Sequence, residues 1–124
     1  KDLIGGYGFI VNNSNRNDEN PNNKHWTAVY MDKYNVEMFD PLAKHIEYKK
    51  IINQLKPIIE NNNVLMKLKK NSNIAQNPLS YLCGYHCVDF IDKKFNGLSF
   101  KEATNYDKNF KENTKEIRNK FNYV

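Results

Sequence analysis

Cysteine is scarce in this chain: two in 124 residues, Cys83 and Cys87, one helical turn apart. That excludes a disulfide framework, which needs more cysteines at wider spacing. So low a count suits a reducing compartment. Zinc is poorly supported too, since Cys83, His86 and Cys87 share one segment and no second cluster completes a ligand set. Long apolar runs are missing. Nothing approaches the ~18 residues a membrane-spanning helix requires, and no basic-then-apolar leader opens the chain. A soluble protein that is not secreted and needs no membrane is expected. Arginine is nearly absent, only Arg16 and Arg118, so lysine carries the net charge of +5. A balance of that size serves solubility first; affinity of a basic surface for nucleic acid stays open beside it.

What is present has the size of one domain, expected over residues 1–124, with 40% hydrophobic residues for a small core. The chain opens on Lys1 rather than Met, as a processed product or a fragment would. Gly5-Gly6-Tyr7-Gly8 predicts a turn and Phe9–Val11 a short strand. The Asn-rich stretch 12–24 reads as a loop. A hairpin follows: strand Trp26–Met31, turn Asp32–Asn35, strand Val36–Phe39. Thr27, Val29, Met31, Val36 and Met38 share one face, and Trp26, Ala28, Tyr30 and Phe39 the other. A hairpin apolar on both faces belongs in the middle of a covered sheet. Ala43–Glu60 has a helical period, with Pro57 expected to kink or end it. Val64–Leu68 reads as a strand, Asn71–Ser80 as a loop, and Gly84–Phe95 as a helix ending at Asn96-Gly97. Ser99 with Glu102 makes a capping box, and Phe110, Ile117 and Phe121 mark a last amphipathic helix. The fold class expected is α+β: a central, mostly antiparallel sheet packed against the helix that carries Cys83.

The reactive residue types fall at telling places. A hairpin turn centred between Lys33 and Tyr34 sets Thr27 opposite Asp40, with His25 two residues further along the same face. Diagonal neighbours of that kind lie about 7–8 Å apart, within side-chain reach. Asp40 can then fix the imidazole tautomer and leave the other ring nitrogen for a nucleophile. The plainer alternative makes Asp40-Pro41 a turn start and His25 an exposed strand end; Asp32 and Glu37 compete as the acid. Cys83 falls where a loop becomes a helix. Free N–H groups and the dipole there stabilise a thiolate and can hold an oxyanion. A merely buried helical cysteine is the alternative, and it describes Cys87. Gly84 lets a substrate backbone come close. Gln76, seven positions before Cys83, can fold back and set its amide beside the thiolate as a second oxyanion donor, or be an ordinary loop residue. Trp26 packs beneath these side chains or is a plain core residue. His45 opens a helix on a polar face, and His86 shares the helix of Cys83, so neither approaches across a cleft as His25 does. Base, acid, oxyanion donor and nucleophile in this order read as a cysteine endopeptidase, a thiol protease.

His25-Trp26, Asp40-Pro41 and the run from Gln76 to Cys83-Gly84 resemble the adenovirus-type maturation cysteine proteases (adenain-like). These share a clan with the SUMO/ubiquitin-like proteases. The seven-residue step, the second cysteine Cys87, and Phe9-Ile10-Val11-Asn12 ahead of a polar loop are similar to the adenovirus branch. The resemblance covers about Gly6 to Phe95. The chain departs from that pattern in being shorter at both ends, in a slightly shortened hairpin, and in using Asp where the adenovirus enzyme has Glu. The resemblance implies a papain-like site layout on a circularly rearranged chain. It implies His25, Asp40 and Cys83 as the catalytic set, Gln76 with the Cys83 N–H as the oxyanion hole, and Trp26 and Gly84 packing the site. It also implies cleavage after a small residue such as Gly, in capsid precursors or a polyprotein, by a viral or virus-like monomer in the virion and infected host cell, whether cytoplasm or nucleus. The residues themselves require no cofactor; DNA or an activating peptide enters by resemblance, with no spare cysteine to tether the peptide. The Lys- and Asn-rich composition points to an AT-rich genome. A deconjugase for SUMO- or ubiquitin-like modifiers shares the catalytic set, though so short a chain has little room for a folded-modifier surface. A non-catalytic binding module is the third reading, against which the complete set of four residues argues.

Overall fold

Apolar, β-prone residues form Tyr7–Asn12 (β1), Trp26–Met31 (β2) and Asn35–Phe39 (β3), which pair antiparallel in chain order. In the computed structural model, residues 5–12, 25–43, 48–61 and 67–122 are described. The β2–β3 turn is closed by Asp32, whose Oδ1 accepts the N–H groups of Tyr34 at 2.9 Å and Asn35 at 2.8 Å. Ala28 lies opposite Phe39 and Val29 opposite Met38, the register predicted from a turn centred on Lys33 and Tyr34.

Both faces of this hairpin are covered. Helix Tyr48–Asn61 (α1) sets Ile51, Leu55 and Ile59 against Val29, Met31, Val36 and Met38. On the opposite face, helix Cys83–Phe95 (α2) packs Cys87 and Phe90 against Ala28 and Phe39. Phe90 stacks on Phe39 with ring centroids 4.9 Å apart. Gly8, read from sequence as part of a turn, lies inside β1. A Cβ there would come within 2.8 Å of Ile91 and 3.1 Å of Phe95, so glycine is what lets α2 close onto that strand. Helix Phe100–Ala103 (α3) starts at the expected capping box of Ser99 and Glu102. Helix Phe110–Lys120 (α4) is tied to α2 through Lys120, 2.8 Å from Asp89 and 2.9 Å from Asp92.

Three expectations need correction. Pro57 does not end α1, which continues to Asn61. The carbonyl freed four residues earlier belongs to exposed Asn53, where water can satisfy it. The fourth strand is described over Lys67–Lys70 (β4), running past the predicted end at Leu68, and it pairs parallel with β3. The chain crosses from β3 over α1, a connection that returns a strand in the same direction, so the α+β sheet is mixed, in order β1-β2-β3-β4. Ala43, the predicted first residue of the helix, instead sits in the turn after β3 at φ 51°, and α1 is described from Tyr48. The predicted loop over 13–24, the start of the first helix over 44–47 with His45, and the strand start at 64–66 lie outside the described residues. Among those described, no helix is long and apolar enough to cross a membrane.

Phe90 is fully buried and joins α2 to the sheet. Phe90→Ala is expected to destabilise the fold by about 3–5 kcal/mol, read from the urea midpoint. A loss below about 1 kcal/mol would show that other contacts seat α2.

Candidate active site

His25 immediately precedes β2 and Asp40 immediately follows β3, so the hairpin register delivers both to one end of the sheet. Asp40 Oδ1 lies 2.9 Å from His25 Nε2. The Nε2–H direction is off the oxygen, so the contact acts as an ion pair more than as a straight hydrogen bond. The same Oδ1 accepts the Leu42 N–H at 2.9 Å, and Ala43 N–H closes the turn on Asp40 O at 2.9 Å. Ala43 sits at φ 51°, in the left-handed region a non-glycine residue enters only under constraint. A tight turn thus aims a carboxylate that is only 1% exposed.

The other ring nitrogen, His25 Nδ1, is 3.5 Å from Cys83 Sγ. Cys83 is the first residue of α2, and the preceding Leu82 offers no side-chain cap. The Cys83 N–H has no intrahelical acceptor at that position. The sulfur lies across the backbone of Trp26: 2.8 Å from its carbonyl oxygen, and 3.2 Å from its nitrogen, whose N–H donates to it. The Trp26 indole is half-buried and packs against the cluster of Ala28, Phe39, Cys87 and Phe90. A Cβ built on Gly84 would meet Trp26 at 3.7 Å, an ordinary contact, so packing alone does not demand glycine there.

The charges follow from these contacts. His25 is raised to about 9, chiefly by Asp40 and then by Cys83, with burial opposing. Cys83 is lowered to about 6, first by the hydrogen bond from Cys87, then, against the cost of burial, by His25. Cys87 is raised well above an ordinary thiol, mainly by burial. Between about pH 6 and 9 the pair is therefore a Cys83 thiolate beside a His25 imidazolium, titrating as a coupled unit.

Gln76 is buried, but its amide nitrogen faces Ser80, 3.1 Å from the carbonyl and 3.2 Å from the hydroxyl oxygen. The structure shows no Gln76–Cys83 hydrogen bond among the described residues. His86 is buried too, with Nε2 3.1 Å from Thr114 Oγ1, and burial pushes its pKa down to about 4. Asp32 is used by the hairpin turn, and Glu37 pairs with Lys94 at 3.1 Å. No cluster of three His, Cys, Asp or Glu side chains among the described residues could hold a metal. Sequence reasoning missed Asn71. Its Oδ1 accepts Asp40 N–H at 2.8 Å and its Nδ2 donates to Asp40 O at 2.6 Å, as a paired strand would. Ala75 and Gln76 N–H groups both donate to Pro41 O, at 2.8 and 3.0 Å. The segment 71–76 is thereby stitched to the Asp40-Pro41 turn, a long-range contact with no signature in local spacing.

A sequence profile of the Ulp1 protease family, C-terminal catalytic domain, matches residues 10–123. In three dimensions the chain is similar to the ASFV pS273R protease, known from a crystal structure, with a TM-score of 0.68 and 16% identity. That likeness covers 92% of this chain and 43% of the other, so the chain spans less than half of that protein's length. At this identity the likeness is one of fold. No curated protein sequence matches the chain.

Iodoacetamide is expected to alkylate Cys83 well ahead of Cys87 at pH 7, with the Cys83 rate rising through about pH 6. Peptide mapping reads the result, and equal labelling of both thiols would contradict the charge assignment. In Asp40→Asn the new amide oxygen still accepts the Leu42 N–H, but the charge that raises His25 is gone. His25 should then titrate clearly below 9 by proton NMR, with the fold intact; an unmoved titration would mean that Asp40 does not set the imidazole's charge.

Proposed function

The chain belongs to the Ulp1 protease family, and from that premise we propose that it is a cysteine peptidase and assign its catalytic residues and substrate class. Cys83 is the nucleophile, His25 its base and proton carrier, and Asp40 the acid that orients His25. The observation that carries this assignment is the relay from Asp40 Oδ1 to His25 Nε2 at 2.9 Å and from His25 Nδ1 to Cys83 Sγ at 3.5 Å. It joins three elements that only the folded chain brings together.

On this reading the thiolate attacks the scissile carbonyl carbon, and the oxyanion forms against the Cys83 N–H at the uncapped end of α2. The second donor is the Gln76 amide. Both of its present acceptors belong to Ser80, so one N–H can serve them as a three-centre bond while the other turns to the oxyanion. His25 Nδ1–H protonates the leaving amine, which departs as a thioester forms. His25 then takes a proton from the water that hydrolyses the thioester, restoring the thiolate–imidazolium pair. Trp26 walls the site and Gly84 admits the substrate backbone. The chain order, with histidine and acid ahead of cysteine, is that of a papain-type layout on a circularly rearranged chain.

The substrate class we propose is a protein cut after a small residue such as Gly, as in viral maturation of capsid precursors by an adenovirus-type enzyme. The viral protease among its structural likenesses supports this reading. Residues 1–124 act as one catalytic domain, monomeric, in the infected cell or virion. Deconjugation of ubiquitin-like modifiers is the second reading, favoured by the Ulp1 family match itself. Incubation with Gly-containing capsid-type peptides and with modifier fusions, read by mass spectrometry beside a Cys83→Ala control, separates the two. Cleavage after Gly in the peptides, absent in the control, is expected. Cleavage of the fusions alone would establish the second reading, and turnover by Cys83→Ala would remove the nucleophile assignment.

A further inference from the structure

Thr114 lies inside α4, far along the chain from every residue assigned so far, and is only 4% exposed. A threonine in a helix interior commonly turns its hydroxyl back on its own helix. This one reaches outward in two directions. Its Oγ1 accepts the N–H of Asn77 at 2.8 Å and lies 3.1 Å from His86 Nε2. A hydroxyl has one proton. The oxygen that accepts from Asn77 still offers a lone pair and its own proton to His86 Nε2, so the contact forms with either tautomer of the imidazole. Burial keeps that imidazole neutral, with its pKa pushed down to about 4.

The two partners of Thr114 belong to the two elements that frame the oxyanion hole. Asn77 follows Gln76 directly. The Gln76 N–H is fixed on Pro41 O at 3.0 Å, so the backbone of Gln76 is held by Pro41 on one side and by Thr114 on the other. Asn77 O in turn accepts the Ser80 N–H at 2.9 Å and the Ser80 hydroxyl at 2.8 Å, and Ser80 holds the Gln76 amide. His86 lies on α2 within a turn of Cys83, and its N–H donates to Leu82 O at 3.0 Å, in the turn that starts the helix.

We propose that Thr114 is a positioning residue: its hydroxyl pins the Gln76 loop to the Cys83 helix and so fixes the spacing of the two oxyanion donors. This rests on the assignment of Gln76 and Cys83 above. Thr114 touches no reacting atom and acts only through Asn77 and His86. Valine has the same shape without the hydroxyl, and it leaves the Asn77 N–H and His86 Nε2 without their shared partner. The Gln76 loop is then free to shift against α2, and small displacements of a transition-state donor are costly.

The test is a double-mutant cycle of Thr114→Val with Gln76→Ala on a Gly-containing peptide, together with Thr114→Ser. Gln76→Ala alone is expected to lower kcat by about 10²–10³. Thr114→Val should lower kcat by roughly 10-fold to 10²-fold with KM little changed. The rate and pH profile of Cys83 alkylation should stay as in the native protein, because the His25–Cys83 pair is not touched. Serine should restore kcat, and on the Gln76→Ala background the valine change should add almost nothing. If valine does not fold, Thr114→Ala takes its place with the same outcomes. A native kcat in the hydroxyl-free variant, or an equal loss on both backgrounds, would overturn the proposal while leaving Gln76 in its role. A Gln76→Ala variant with native kcat would instead remove the assignment on which the proposal rests, and the proposal with it.

Discussion

The site depends on how the first turn of α2 is seated on the first residue of β2. Cys83 Sγ contacts both the nitrogen and the carbonyl oxygen of Trp26, and the residue before Trp26 is His25. A shift of α2 along the sheet would therefore lose the sulfur's two backbone contacts and its histidine together. The seat is set away from the chemistry. Phe90 stacks on Phe39 at the middle of the helix, and Gly8 admits Ile91 and Phe95 further along. In an interior packed as densely as a crystal, such contacts leave little freedom for the helix to slide. The 3.5 Å between His25 Nδ1 and Cys83 Sγ is thus a consequence of core packing before it is a property of either side chain.

Burial and pairing compete at every ionisable group here, and the outcome differs between residues on one helix. Cys83 and Cys87 are both buried, yet one is pushed down to about 6 and the other upward. Cys83 has partners for its charge: the Cys87 thiol, the imidazolium and the Trp26 N–H. Desolvation dominates at Cys87, which donates to its neighbour instead. The two imidazoles divide in the same way. His25 has a carboxylate at 2.9 Å and rises to about 9; His86 faces a neutral hydroxyl and falls to about 4. Residue type and burial do not decide which cysteine or histidine carries charge. The partner does.

That distinction governs what could be read from sequence. Period-two alternation with a turn at Lys33-Tyr34 specifies a register, and the register brings His25 and Asp40 to one end of the sheet. The start of a helix at Cys83 was legible from the loop-to-apolar transition, and both covered faces of the hairpin from its apolar alternation. The parallel pairing of β4 was not, because a short lysine-rich strand carries no directional signal; only the intervening helix hinted at a crossover. The Gln76 spacing was visible, but its hold on Ser80 was not. Asn71 and Thr114 left no trace, since they bond to Asp40, Asn77 and His86 across 28 to 37 positions and one asparagine or threonine looks like any other.

Those unread contacts explain how so short a chain keeps its site ordered. Asn71 to Leu82 crosses from β4 to α2 without regular structure, and a connection of that length has many conformations to lose. Side chains supply what strands and helices otherwise would. The Asn71 amide takes both backbone groups of Asp40 in the manner of a neighbouring strand. Pro41 O collects two successive N–H groups, Asn77 O two more donors, and Thr114 bridges the loop to α2. Each hydrogen bond is modest by itself, about 1 kcal/mol net. Their value lies in being shared: the turn that aims Asp40 and the segment that carries Gln76 are one stitched unit. Within it the two tasks rest on different bonds: Asn71 holds the Asp40 that orients the imidazole and Thr114 holds the loop at Asn77, so loosening the Thr114 end displaces the proposed oxyanion donor while Asp40 keeps its own anchors.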